Sequence, residues 1–161
     1  MYTNIMIAVD GSGESLQAVR EALHLIERGL RAEVALVNVQ EPASLLQLAT
    51  QDSDAIAAAA VEAGENLMGE AAALLNAAGV NYSMEVVLGE PGAALVDMAE
   101  QLDADMVMMG ARGMGAVKSV IVGSVSKAVI THIGRPVLVV RAPEEGEAPE
   151  DLDSDAEDAA A

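Results

Sequence analysis

Five short apolar runs, separated by stretches with helical spacing, constrain this chain more than any other feature. Ile5 to Val9 reads Ile-Met-Ile-Ala-Val, and residues 34–39, 81–88, 106–109 and 136–140 follow. Between them lie stripes at three- and four-residue spacing: Leu16, Val19, Leu23 and Ile26; then Leu67, Ala71, Leu74 and Ala78; then Leu95, Met98, Ala99 and Leu102; then Val125, Ala128, Val129, His132 and Ile133. Runs apolar on both faces fit the centre of a parallel sheet, because helices cover both sides of such a sheet. Strands that alternate with helices imply right-handed crossovers and an α/β architecture.

The third run differs from the rest. Tyr82, Met84 and Val86 alternate with Ser83 and Glu85, which marks a half-exposed strand near a sheet edge. Placing it there gives the order 3-2-1-4-5 for a five-stranded parallel sheet, flavodoxin-like or Rossmann-like, with helices on both faces. Gly11 and Ser12 end the first strand, Pro91 falls in the first turn of a helix, and Gly79 and Gly134 stop helices. Residues 41–53 are polar and mixed and read as an irregular connection. This order creates a topological switch point between the first and fourth strands. A ligand should bind at their carboxyl ends, beside Asp10 and Gly110.

The chain has 161 residues, is 52% hydrophobic and contains no cysteine. One domain over residues 1–142 accounts for the pattern, followed by a tail over 143–161. The tail holds nine acids, no base and one large apolar residue, Leu152, so it is expected to be disordered. Its Asp151, Asp153 and Asp155 do not make a calcium loop, because Ala156 stands where such a loop needs glycine. The absence of cysteine excludes disulfides and thiolate sites. A formal charge of −18 and two Tyr as the whole aromatic complement argue against nucleic acid as a partner. No run reaches the roughly 18 apolar residues of a membrane span, and the start lacks the pattern of a signal peptide. The expected compartment is the cytoplasm. Six Arg and two Lys against 26 acids resemble the surfaces of proteins from salt-rich cytoplasm, which suggests a halophilic source.

The charge is unevenly placed. Residues 106–142 contain no acid but hold Arg112, Lys118, Lys127, Arg135 and Arg141, five of the eight bases. A basic stretch in so acidic a chain suits an anion. It includes a loop, Gly110-Ala-Arg-Gly113-Met-Gly115, with Gly123-Ser124 opening the next helix. This is neither a Walker loop nor a dinucleotide fingerprint. It still suits phosphate: glycines let backbone N–H groups approach an anion, and the helix beginning near Ser124 offers its positive end. Ser124 and Ser126 add hydroxyls. The same glycines also serve a loop that binds nothing.

Taken together, Val9-Asp10-Gly-Ser12, Val37-Asn-Val39, Gly89-Glu-Pro91, the G-x-x-G-(nine)-G-S spacing from Gly110 and the run Pro136, Val137, Leu138, Val139, Val140 resemble the universal stress protein family, in its ATP-binding branch. The resemblance spans about residues 1–141. It implies that Asp10 holds ribose hydroxyls, that Ala8 lines the nucleoside and that Val39 meets adenine. It further implies that Gly110, Arg112, Gly113 and Gly115, with Gly123, Ser124, Val125 and Ser126, surround the phosphates. Asn38 stands where many members have His, and Met114 replaces a more polar loop residue of some members.

Alternatives stay open residue by residue. Asp10 caps a turn or binds ribose; Arg112 pairs with phosphate or points to solvent. Lys118, Lys127, His24 and His132 read as surface or packing residues, and no general base or metal cluster stands out. The expected ligand is ATP, with or without Mg²⁺, in a nucleotide-dependent regulatory protein of the stress response. A slow hydrolase or adenylyl-transfer relative, and a nucleotide-free interaction protein, are the alternatives. The bare apolar edge of the fifth strand, Pro136 to Val140, predicts a homodimer.

Overall fold

The structure is a computed structural model that describes residues 3–43, 45–50, 52–115 and 121–143. Its elements alternate in chain order: β1 (Thr3–Ala8), α1 (Gly13–Glu27), β2 (Ala32–Gln40), α2 (Leu45–Thr50), α3 (Ser53–Ala77), β3 (Tyr82–Leu88), α4 (Pro91–Gln101), β4 (Met106–Gly110), α5 (Ser124–His132) and β5 (Val137–Val140). The sheet order is β3-β2-β1-β4-β5 and every pairing is parallel, the arrangement expected from the apolar runs. Residues 116–120, which include Lys118, lie outside the described residues, as does the acidic tail from Glu144 onward.

Side chains alternate through the sheet and build two cores. Ile5, Ile7, Val34, Leu36 and Met108 pack on one face with Val19 of α1 and Met68 and Leu75 of α3. Met6, Val37, Val107 and Met109 pack on the other with Leu95, Met98 and Ala99 of α4 and Val129 of α5. Ile7 is fully buried at the centre of the sheet. Burying a side chain of this size stabilises by roughly 1.5–3 kcal/mol, and cutting it to Ala costs about 2–5 kcal/mol because a cavity remains.

Local signals set the helix ends. Ser12 caps α1, its hydroxyl accepting from Ser15 N–H at 3.2 Å. Asp52 caps α3, and Glu90 caps α4 by accepting from Gly92 and Ala93 N–H at 3.2 and 2.8 Å. Gly79 follows α3 at φ +69°, a left-handed conformation that side chains resist.

Two expectations need correction. Residues 45–50 form α2 within the stretch read as irregular; its Leu, Gln and Ala favour helix, and it contains neither Gly nor Pro. On α3 the buried face runs through Gly64, Met68, Ala71, Ala72 and Leu75, whereas Leu67 is 38% exposed. An Ala-rich helix is apolar most of the way round, so its periodicity does not single out one face. His132 is exposed on α5, which buries Ser126 and Val129, so of the two readings open for it the surface one holds.

Candidate functional site

β1 and β4 run side by side with Ile7 opposite Met108. Beyond their ends the chain parts, entering α1 on one face of the sheet and, after the glycine-rich loop, α5 on the other. The gap is a cleft of about 340 Å³. Of the residues singled out from sequence, Ala8, Asp10, Val39, Gly110, Arg112, Gly113, Val125 and Ser126 line it. Gly115, Gly123 and Ser124 do not. The cleft also takes in Val37, Glu41, Pro91, Leu95 and Met114, which had no assigned role there. Leu95 carried a signal only for core packing, and Val37 one for a buried strand and for the Val37-Asn-Val39 motif. Their second role follows from where α4 starts over β2.

Asp10 ties two loops together. Its Oδ1 accepts from Ser12 N–H at 2.9 Å, so the turn-capping role is real. Its Oδ2 accepts from Met114 N–H at 3.2 Å, across 104 residues of sequence. A carboxylate has about four acceptor positions, so these bonds leave room for a ligand hydroxyl. Gly113 lies so close that a Cβ there would meet Oδ2 at 2.9 Å.

Arg112 neither points to solvent nor stands free for an anion. Its Nη2 and Nε donate to Glu14 Oε1 at 2.8 and 3.1 Å, and its backbone N–H donates to Oε2 at 2.7 Å. The two side chains are 12% and 10% exposed. Sequence reading missed Glu14. Its one signal was an acid in the first turn of a helix, where the helix dipole favours negative charge.

Ser126 also needs correction as a phosphate donor. Its hydroxyl is buried and donates to the carbonyls of Gly110 and Ala111, at 2.9 and 3.1 Å. It thereby fastens the start of α5 to the end of β4. Gly123 N–H donates to Ala111 O at 2.6 Å. Gly123 has an ordinary φ of −73°, so conformational freedom does not explain it. Close approach does: a Cβ there would come within 3.3 Å of Ala111 O and 3.5 Å of Arg112 Cα. The first intrahelical bond of α5 runs from Lys127 N–H to Gly123 O, and no side chain caps the helix. Its three leading N–H groups thus lack an acceptor within the helix.

The sequence pattern of the universal stress protein family matches residues 1–141. The chain belongs to that family. It is 31% identical over 144 residues to a universal stress protein of Methanocaldococcus jannaschii, covering 89% of this chain and 84% of the relative. The universal stress protein UspA of Lactobacillus plantarum has a similar structure, with TM-score 0.71 and 26% identity, covering 87% of this chain and 98% of that one. A universal stress protein in complex with cAMP matches with TM-score 0.60 and 26% identity, over 87% and 97% of the two chains.

Within this family's fold, Asn38 has a definite structural task. It is 2% exposed on the α3 face of β2, away from Val37 and Val39. Its Nδ2 donates to Val9 O at 2.7 Å and its Oδ1 accepts from Gln40 Nε2 at 2.7 Å. It braces the chain just ahead of Asp10. Among the described residues no group of three or more His, Asp or Glu could hold a metal ion, and no helix is long and apolar enough to cross a membrane.

Proposed function

We propose that this universal stress protein binds an adenine nucleotide in the cleft at the carboxyl ends of β1 and β4, with ATP as its ligand, and acts as a nucleotide-dependent regulator. The observation that carries the reading is the cleft's division into two halves. Ala8, Val37, Val39 and Leu95 make an apolar slot of the kind a purine ring fills. Beside it, Asp10 offers a carboxylate to ribose hydroxyls. Next to Asp10 lie the glycine-rich loop and the uncapped start of α5, where backbone N–H groups suit phosphate. The relative crystallised with cAMP supports an adenine ligand. In this reading Gly110 and Gly113 let backbone approach the phosphates within the cleft, while Gly115, Gly123 and the exposed hydroxyl of Ser124 serve phosphates that extend beyond its lining. Val125 closes the slot, and Ser126 holds the loop. Mg²⁺, where it enters, rides on the phosphates and water.

Denaturing the purified protein and analysing the supernatant tests this directly. Released adenine nucleotide, together with calorimetric binding of ATP to the emptied protein, is the expected result. Absence of both transfers the cleft to the interaction-protein reading. The assembly proposed for the regulator is a homodimer through β5. Val137, Leu138 and Val139 lie on an open edge, and Leu138 is 37% exposed. Light scattering should show twice the chain mass, and Val139→Lys should halve it.

A further inference from the structure

We infer that Glu14 sets the phosphate preference of the cleft, by holding the Arg112 guanidinium out of reach of the phosphate chain. The inference rests on the adenine-nucleotide reading and gives that site a specificity-determining residue.

Arg112 is the single base among the described residues that line the cleft. A guanidinium suits a phosphate ligand, since its fork of donors matches phosphate oxygens. Here Nε and Nη2, two donors of that fork, are both turned onto Glu14 Oε1. Glu14 is itself fixed. It sits in the first turn of α1, favoured by the helix dipole, and its second oxygen accepts from the Arg112 backbone N–H at 2.7 Å. Gly110 is packed against it so tightly that a Cβ there would lie 2.8 Å from Glu14 Cβ. The carboxylate is held by three hydrogen bonds from Arg112, two from the side chain and one from the backbone.

The other charged residues that line the cleft are Asp10 and Glu41. With Arg112 neutralised by Glu14, the described wall is net negative. Each added phosphate then meets backbone N–H groups without an available guanidinium, and the carboxylates oppose its charge. Affinity should rise little from adenosine to ATP in this chain. Removing the Glu14 charge should convert Arg112 into a phosphate ligand. A loop cation paired to a first-turn acid thus acts as a selector for phosphate number, and the pair joins residues 98 positions apart.

The test is calorimetry with ATP, AMP and adenosine on the full chain, for wild type, Glu14→Gln and the double variant Glu14→Gln/Arg112→Ala. Glu14→Gln keeps an oxygen for the Arg112 N–H but removes the charge. The ratio of ATP to adenosine affinity should rise about tenfold, the size expected of one charge-assisted hydrogen bond. Adenosine affinity should hold, and the double variant should lose the gain. An unchanged ratio in Glu14→Gln overturns the inference. A gain that survives in the double variant also overturns it, since the effect would then be repulsion alone. If Glu14→Gln does not fold, Glu14→Asp draws the carboxylate back by one methylene and should shift the ratio the same way. An unchanged ratio there overturns the inference equally. Failure of the underlying reading is visible separately, as wild type that binds none of the three compounds.

Discussion

Two clefts of about 340 Å³ lie at opposite ends of the same sheet. Volume does not distinguish them; backbone direction does. At the amino ends, between Asn4, Glu33, Tyr82 and Leu102, helices finish and present carbonyls. The polar groups there answer one another. Asn4 N–H donates to Asp105 Oδ2 at 2.7 Å, and an Arg135 Nη1 donates to Ala104 O. At the carboxyl ends helices begin. Ser12 caps α1 there, while α5 starts at Gly123 with no side-chain cap. A parallel sheet points every strand the same way, so it gives one end donors and the other acceptors. An anionic ligand fits the donor end.

The strongest way to break this contrast is to overfill the donor end. Gly110→Val sets a branched side chain against the α1 backbone, with a Cβ 2.9 Å from Ser15 N. Neither side can yield without moving a helix, so the protein should lose about 3 kcal/mol or more of stability. Thermal denaturation would show this as a fall in Tm of several degrees.

Gly123→Val should act more on binding than on folding. Its Cβ contacts are tight but not closed, and its φ is one that valine adopts. The cost in stability is about 1 kcal/mol, as the Ala111 to Gly113 backbone shifts. ATP affinity should fall about tenfold, to below that of adenosine, because the shift displaces the N–H groups that offset the repulsion of phosphate by the carboxylates. Adenosine affinity should fall much less. Calorimetry on the folded variant measures both, and equal losses would mean that the loop does not meet phosphate.

Asp10→Ala sharpens the comparison within the donor end. It removes the acceptor for Ser12 and Met114 N–H as well as the proposed ribose contact. ATP, AMP and adenosine should all weaken, by about tenfold each, the worth of one hydrogen bond to a charged group. A loss confined to ATP would move Asp10 from the ribose to the phosphates.

The smallest effect belongs to the acceptor end. Glu33→Gln and Ser83→Ala alter exposed side chains of the amino-end cleft. Both should leave nucleotide affinity within about twofold and stability within about 0.5 kcal/mol of wild type. A larger change in affinity would place the ligand at the wrong end of the sheet in the present assignment.

Much of this molecule is legible in its residues one element at a time. Ile5 to Val9 is apolar on both faces and becomes an interior strand; the alternation from Tyr82 to Val86 becomes an edge. Once those two strands are placed, the switch point beside Asp10 and Gly110 follows. Strand periodicity is local, so the chain alone carries it. The face of α3 was not legible, because Leu67 and Met68 are equally apolar and only packing against Val86 and Asn38 at Gly64 selects one stripe. The duties of Arg112 and Ser126 were not legible either. Both looked like donors for a ligand, and both are engaged by protein groups, at Glu14 and at the Gly110 and Ala111 carbonyls. Residue types fix what a side chain is able to donate. Which acceptor it reaches is decided by elements that meet only when the sheet has closed, here α1 against the end of β4.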